Sequence, residues 1–178
     1  MTQLLWRFWI YSFFGFLLET AFAAVTHAER RGRKCRLLLP LCPVYGLGVL
    51  AVLALPQEMT DSFWELAAWG GVTATTVEYA VHWWYQQVLG VSFWDYSAVP
   101  GNLRGRICLP FSVAWAVLLA AALPAAERWL APLLTGIPPQ LTYWLLLIFT
   151  ADTVCSWRVL RKTRDTQALR LIRWASAP

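Results

Sequence analysis

Three carboxylates sit inside runs that are otherwise apolar. Glu19 lies in Gly15-Phe-Leu-Leu-Glu19-Thr20, Glu78 in Thr75-Thr76-Val77-Glu78-Tyr79, and Asp152 in Thr150-Ala151-Asp152-Thr153. At the centre of a membrane helix a carboxylate costs about 2.5–3.5 kcal/mol. Such a charge needs a pairing partner, a proton or water. Each has hydroxyl neighbours in sequence: Thr20, Thr75 and Thr76, Thr150 and Thr153. His82 follows Glu78 by one helical turn, so the two share a face and can share a proton. One chemistry open to this set is binding of a cation or polar solute. Another is a proton relay through Glu78, His82 and Asp152. The structural alternative is that the carboxylates pair with Arg104 and Arg106 and lock the bundle.

A second set of chemistry-bearing residues lies in one loop. It reads Phe93-Trp94-Asp95-Tyr96-Ser97, then Pro100-Gly101-Asn102-Leu103-Arg104-Gly105-Arg106-Ile107-Cys108. Trp and Tyr favour the membrane interface. Asp95, Ser97 and Asn102 can bond their own backbone, and Gly and Pro set turns. This density of Trp, Tyr and Arg predicts an ordered plug or re-entrant loop.

These residues need elements to hold them. Of 178 residues, 58% are hydrophobic, 14% are charged and 12 are Trp. Mean hydropathy is +0.49. A soluble domain carries about 25% charged residues, so a disordered chain, a coiled coil, a disulfide scaffold and an ordinary soluble enzyme all fit badly. The expected fold is all-α: a polytopic transmembrane bundle of about five spans over residues 1–157. The spans are predicted near 4–25, 37–55, 63–89, 107–123 and 140–157, with the ordered loop between the third and fourth. Prolines near the second and fourth, at Pro40, Pro43 and Pro110, predict kinks or irregular starts.

Charge sets the orientation. Every Lys and Arg except Arg7 and Arg128 falls in the turn after the first span, before the fourth, or after the fifth. By the positive-inside rule, the N-terminus is outside and the C-terminus is in the cytoplasm. Residues 158–178 form a basic cytoplasmic tail that either snorkels at anionic lipid headgroups or docks a cytoplasmic partner. The net charge of +5 is a topology signal, so nucleic acid is not an expected partner. The N-terminal apolar run is long enough to span and shows no cleavable signal pattern. Cys35, Cys42, Cys108 and Cys155 form no C-x-x-C pair, and reduced thiols are expected. No metal ligand set is legible and no cofactor is assigned. No axial-ligand pattern argues for haem.

Several strings also resemble a known family. They are Gly15 with Glu19, then Leu41-Cys42-Pro43-Val44-Tyr45-Gly46-Leu47-Gly48, then Glu78-Tyr79, then Trp94-Asp95-Tyr96-Ser97, and finally Asn102-Leu103-x-Gly105-x-Ile107-Cys108-Leu109. Together they resemble the bacterial ABC transporter permease family of CmpB type, from about residue 8 to about residue 157. The resemblance implies a permease-like, multi-pass protein of the bacterial inner membrane. It supports Tyr45, Trp94 and Asn102 as members of the site. Residues 158–178 and Trp83-Trp84 lie outside it.

Three functions compete. The first is a transport component for a small polar or cationic solute, with Glu19, Glu78 and Asp95 lining a cavity and Arg104 and Arg106 capping it. These residues contain no G-x-x-x-x-G-K-[ST] loop, so an ABC role needs a separate ATPase subunit. Five spans are few for a permease, which points to a homo-oligomer. The second is an intramembrane enzyme acting on a lipid or isoprenoid, although no catalytic signature or catalytic residue is assigned. The third is a non-catalytic assembly or regulatory subunit, with lipids and proteins as partners.

Overall fold

The apolar runs fold as helices. The structure is a computed structural model describing residues 1–25 and 35–170. Arg30, Arg31, Arg33 and Lys34 of the expected basic turn, His27 before them, and tail residues 171–178 lie outside the described residues. The protein is an all-α, polytopic bundle with almost no strand.

In chain order the helices are α1 (Thr2–Val25), α2 (Pro43–Leu53), α3 (Phe63–Glu65), α4 (Gly71–Leu89), α5 (Leu109–Leu133) and α6 (Pro139–Thr163). A π-helical turn at Leu66–Gly70 joins α3 to α4, so the two read as one rod. That rod starts on a capping box. Ser62 Oγ accepts from the Glu65 amide at 3.2 Å, and Glu65 Oε2 accepts from the Ser62 amide at 3.0 Å. Three helical stretches are long and apolar enough to cross a membrane: Thr2–Val25, Leu109–Gly136 and Pro139–Thr163. The rod from Phe63 to Leu89 has the length but is interrupted by Glu65, Glu78 and His82.

Three boundaries differ from the sequence expectation, one of them the end of the fifth helix, which runs past Trp157 to Thr163. The second helix begins only at Pro43, leaving α2 with 11 residues, about 16 Å of rise. Pro40 and Pro43 lack amide donors and disfavour helix in the residues before them. Residues 35–42 instead form an irregular strap. The fourth helix runs on through Pro124 to Leu133, and a 3-10 turn at Leu134–Gly136 ends it.

Ring and polar contacts fix the helix directions. Arg7 meets Glu127 and Phe22 meets Phe111, so α1 and α5 are antiparallel. Trp6 meets Thr142 and Trp9 meets Phe149, so α1 and α6 are parallel. α1 packs on α2, α2 on α4, and α4 on α5. Val52, Leu66, Ala120 and Leu123 form the core between them. A second cluster of Leu89, Val91, Leu160 and Leu169 closes the end that carries most of the described bases. Trp64 and Trp84 lie 20 residues apart on the third rod, about 30 Å, which matches the hydrocarbon thickness. Trp129 and Trp144, both largely exposed, complete the belt at the end bearing Trp64.

The α1–α2 contact depends on Gly46. A Cβ there would overlap the Phe8 carbonyl oxygen and Ser12 Oγ, and a backbone carbonyl cannot swing away. Gly46→Val should therefore force the helices apart. The expected loss is about 1–3 kcal/mol, read as a lower melting temperature of the detergent-solubilised chain. Unchanged melting would mean that the contact is soft.

Candidate functional site

α1 and α5 touch at their ends and stand apart between them. At one end Arg7 Nε donates to Glu127 Oε2 at 2.9 Å, and Tyr11 Oη donates to Glu127 Oε1 at 2.8 Å. At the other end the Phe22 and Phe111 rings meet edge to face, 5.9 Å between centroids. The space between is a cavity of about 760 Å³ walled by α1, α2, α4 and α5. Its lining is mostly Leu and Ala with a few aromatic rings, and Glu78 is the charged residue among the described lining residues. Small residues at Gly15, Gly48, Ala74 and Ala122 leave the room.

Glu78 is buried in α4, and Tyr96 Oη donates to its Oε1 at 3.1 Å. Tyr96 comes from the loop after α4 and stacks on Phe111, 5.2 Å between centroids. His82, one turn further along α4, is also buried. Its Nε2 lies 2.9 Å from the Trp94 carbonyl oxygen. A carbonyl only accepts, so Nε2 carries the proton in that bond. The Trp94 ring packs on His82, and its Nε1 donates to the Arg106 carbonyl at 2.8 Å. Arg106 in turn donates to Tyr79 Oη at 2.7 Å and to Gln86 Oε1 at 3.1 Å. Glu78, His82, Trp94, Tyr96 and Arg106 thus form a connected group around α4.

The loop holds its shape by local bonds. β1 (Asn102–Leu103) pairs antiparallel with β2 (Ile107–Cys108). Arg104 and Gly105 in the turn have φ of 55° and 70°, the left-handed values that tight hairpin turns require. Asn102 donates to the Val99 carbonyl at 2.8 Å and accepts from the Gly105 amide at 3.0 Å. Asp95 accepts from the Ser97 amide at 2.8 Å, and the Ser97 backbone and hydroxyl hold its carboxyl below the usual aspartate range. Asp95 and Arg104 are exposed and lie outside the cavity lining. Trp94→Phe keeps an aromatic ring, smaller than the buried indole, and deletes the donor to Arg106. The Arg106 carbonyl then loses its indole partner, an expected loss of about 1–2 kcal/mol. Faster amide exchange at residues 95–106, with α1 unchanged, checks it.

Glu19 joins the cavity indirectly. It accepts from Tyr45 Oη, and Tyr45 lines the cavity with its ring edge-on to Trp115. Gly15 lies beneath that ring, where a Cβ would collide with it. Asp152 lies elsewhere, against the strap. Its carboxylate accepts from the Leu38 amide at 2.9 Å and the Leu39 amide at 3.1 Å, and Ser156 Oγ lies 3.3 Å away. Ser156 Oγ accepts from the Leu37 amide at 2.9 Å, and Arg36 donates to Thr153. Burial pulls the Arg36 guanidinium below the usual arginine range, with Tyr85 and Asp152 opposing the fall.

Sequence pattern does not reveal the Arg7–Glu127–Tyr11 group. A fourth helix ending at Leu123 leaves Glu127 in a loop. The available signal is that Arg7 and Arg128, the two bases off the basic side, share an end with Glu127.

A family model described as "Putative ABC-transporter type IV", of CmpB type, matches residues 6–157. No curated protein and no solved structure matches the chain.

Proposed function

The chain belongs to the CmpB family of ABC-transporter type IV membrane proteins, and from that membership we propose that it is the membrane-embedded component of a transporter, handling a small solute in the α1–α5 cavity. The solute has an apolar body and a cationic or hydrogen-bond-donating group. One observation carries this reading: Glu78, the one carboxylate among the described lining residues, is set in an otherwise mostly apolar wall. The wall matches the body of such a solute by burial of apolar surface. Glu78 matches its polar group, and Tyr45, which bonds Glu19, lines the same cavity. Asp95, Asn102, Trp94, Arg104 and Arg106 serve as the loop that seals and positions that end. His82, on the same helix as Glu78, is the proton-handling group nearest to it, and Asp152 on α6 is a second such group away from the cavity.

The energy source is a separate ATPase subunit, since these residues lack a phosphate-binding loop. The exposed hairpin tip at Arg104 suits contact with such a partner. In this reading the hairpin is in the cytoplasm, the N-terminus is outside and the chain is in the bacterial inner membrane, which the distribution of its basic residues supports. A homo-oligomer would supply the further spans a permeation path needs.

The test is purification from the native host in mild detergent, with mass spectrometry of the co-purifying proteins. A stoichiometric ATPase is the expected result. A chain carrying lipid alone, and turning that lipid over, would replace this reading with the lipid-enzyme one, which the apolar wall also favours. A partner held through residues 158–178, with no ATPase and no solute, would replace it with an assembly role.

A further inference from the structure

Cys35 and Cys42 sit at the two ends of the strap, and their sulfurs approach to 3.5 Å. Both are buried, Cys35 at 8% exposure and Cys42 at 1%. The approach is held from both sides. The amides of Leu37, Leu38 and Leu39 are tied to Ser156 and Asp152 on α6. The Cys42 amide donates to the Ser12 carbonyl of α1 at 2.9 Å. Eight residues of sequence therefore return on themselves with two thiols face to face. Neither sulfur belongs to the cavity or to the loop around Glu78.

We propose that Cys35 and Cys42 form a dithiol site that takes a low-molecular-weight disulfide, such as oxidised glutathione, and closes to an intramolecular disulfide. Cys35 is the more accessible and reacts first. It gives its proton to solvent, and its thiolate attacks one sulfur of the disulfide RSSR, forming a Cys35–S–S–R bond and expelling RS⁻, which takes up a proton. Cys42 then gives its proton to solvent, and its thiolate attacks the Cys35 sulfur. A Cys35–Cys42 bond forms and the second RS⁻ leaves. The two cysteines lose two electrons together, and RSSR becomes two thiols. In a reducing compartment the bond is transient and forms under oxidative challenge. Its effect is mechanical. The strap, already tied to α6, becomes a covalently closed loop whose second end, Cys42, lies three residues before Tyr45.

The test uses the full chain in mild detergent. Oxidised glutathione is added, remaining thiols are alkylated, and the digested chain is mapped by mass spectrometry. The expected result is a Cys35–Cys42-linked peptide as the dominant linked pair, reversed by dithiothreitol, with Cys108 recovered alkylated. Recovery of Cys35 and Cys42 both alkylated overturns the proposal. So does a stable glutathione adduct on Cys35 with no linked peptide, or linkage of either to Cys155. Cys42→Ser removes the resolving thiol and should trap the mixed disulfide on Cys35. An unmodified Cys35 in a folded Cys42→Ser chain also overturns it.

Discussion

Asp152→Ala should lower the melting temperature of the solubilised chain by about 6–12 °C, the shift that about 3 kcal/mol produces in a chain of this size. The reasoning is local. Asp152 is fully buried, and its two oxygens accept the amides of Leu38 and Leu39. Hydrogen bonds to a charged acceptor are worth about 1.5–3 kcal/mol each, and buried donors left without partners lose their hydration as well. Alanine removes both acceptors and leaves Arg36 without the nearby carboxylate. Asp152→Asn keeps one carbonyl oxygen and should fall between the parent and the alanine variant. Melting of Asp152→Ala within 2 °C of the parent, about the shift from 0.5–1 kcal/mol, would show that water reaches the strap amides.

Glu78→Gln should weaken solute binding at least tenfold and leave the fold intact. The amide keeps an oxygen for Tyr96 Oη, so the link to the loop survives. What is lost is the charge in an apolar wall. A charge–charge or charge-assisted bond there is worth at least about 1.4 kcal/mol, one decade of affinity. The measurement is binding or flux of a long-chain alkylammonium probe in proteoliposomes, beside a melting curve. Equal probe affinity in a variant that melts normally would remove Glu78 from the site. Reduced binding with a matching loss of stability would assign it a structural role.

These two carboxylates look alike in sequence, and the structure separates them. Each lies in a helical run beside threonines, so local pattern offers no distinction. The difference is set by what arrives from far along the chain. Asp152 receives the backbone amides of Leu38 and Leu39, more than 110 positions away. Glu78 receives a tyrosine from its own following loop and faces a cavity. The helices themselves are legible, because apolar runs of this length have few alternatives. The strap is not, because the apolar letters of Leu37, Leu38 and Leu39 conceal a backbone bonded to side chains. The order of the Trp94–Cys108 loop is legible from its turn residues and aromatics. The Arg7–Glu127 bond is not, because it pairs residues 120 positions apart on a helix whose end is masked by Pro124.

The π-helical turn at Leu66–Gly70 has a consequence for comparing relatives. Such a turn holds one residue more than α-helical winding needs, and it absorbs that residue without rotating the helix beyond it. Losing a single residue within 66–70 would let the rod rewind as plain α-helix, with the Ser62 cap and Glu78 keeping their angular phase. Losing one between Gly71 and Val77 would turn Glu78 by about 100° relative to the cap, away from the cavity. Gaps in an alignment of this rod should therefore collect at 66–70. A relative lacking one residue there can still carry its glutamate on the cavity side.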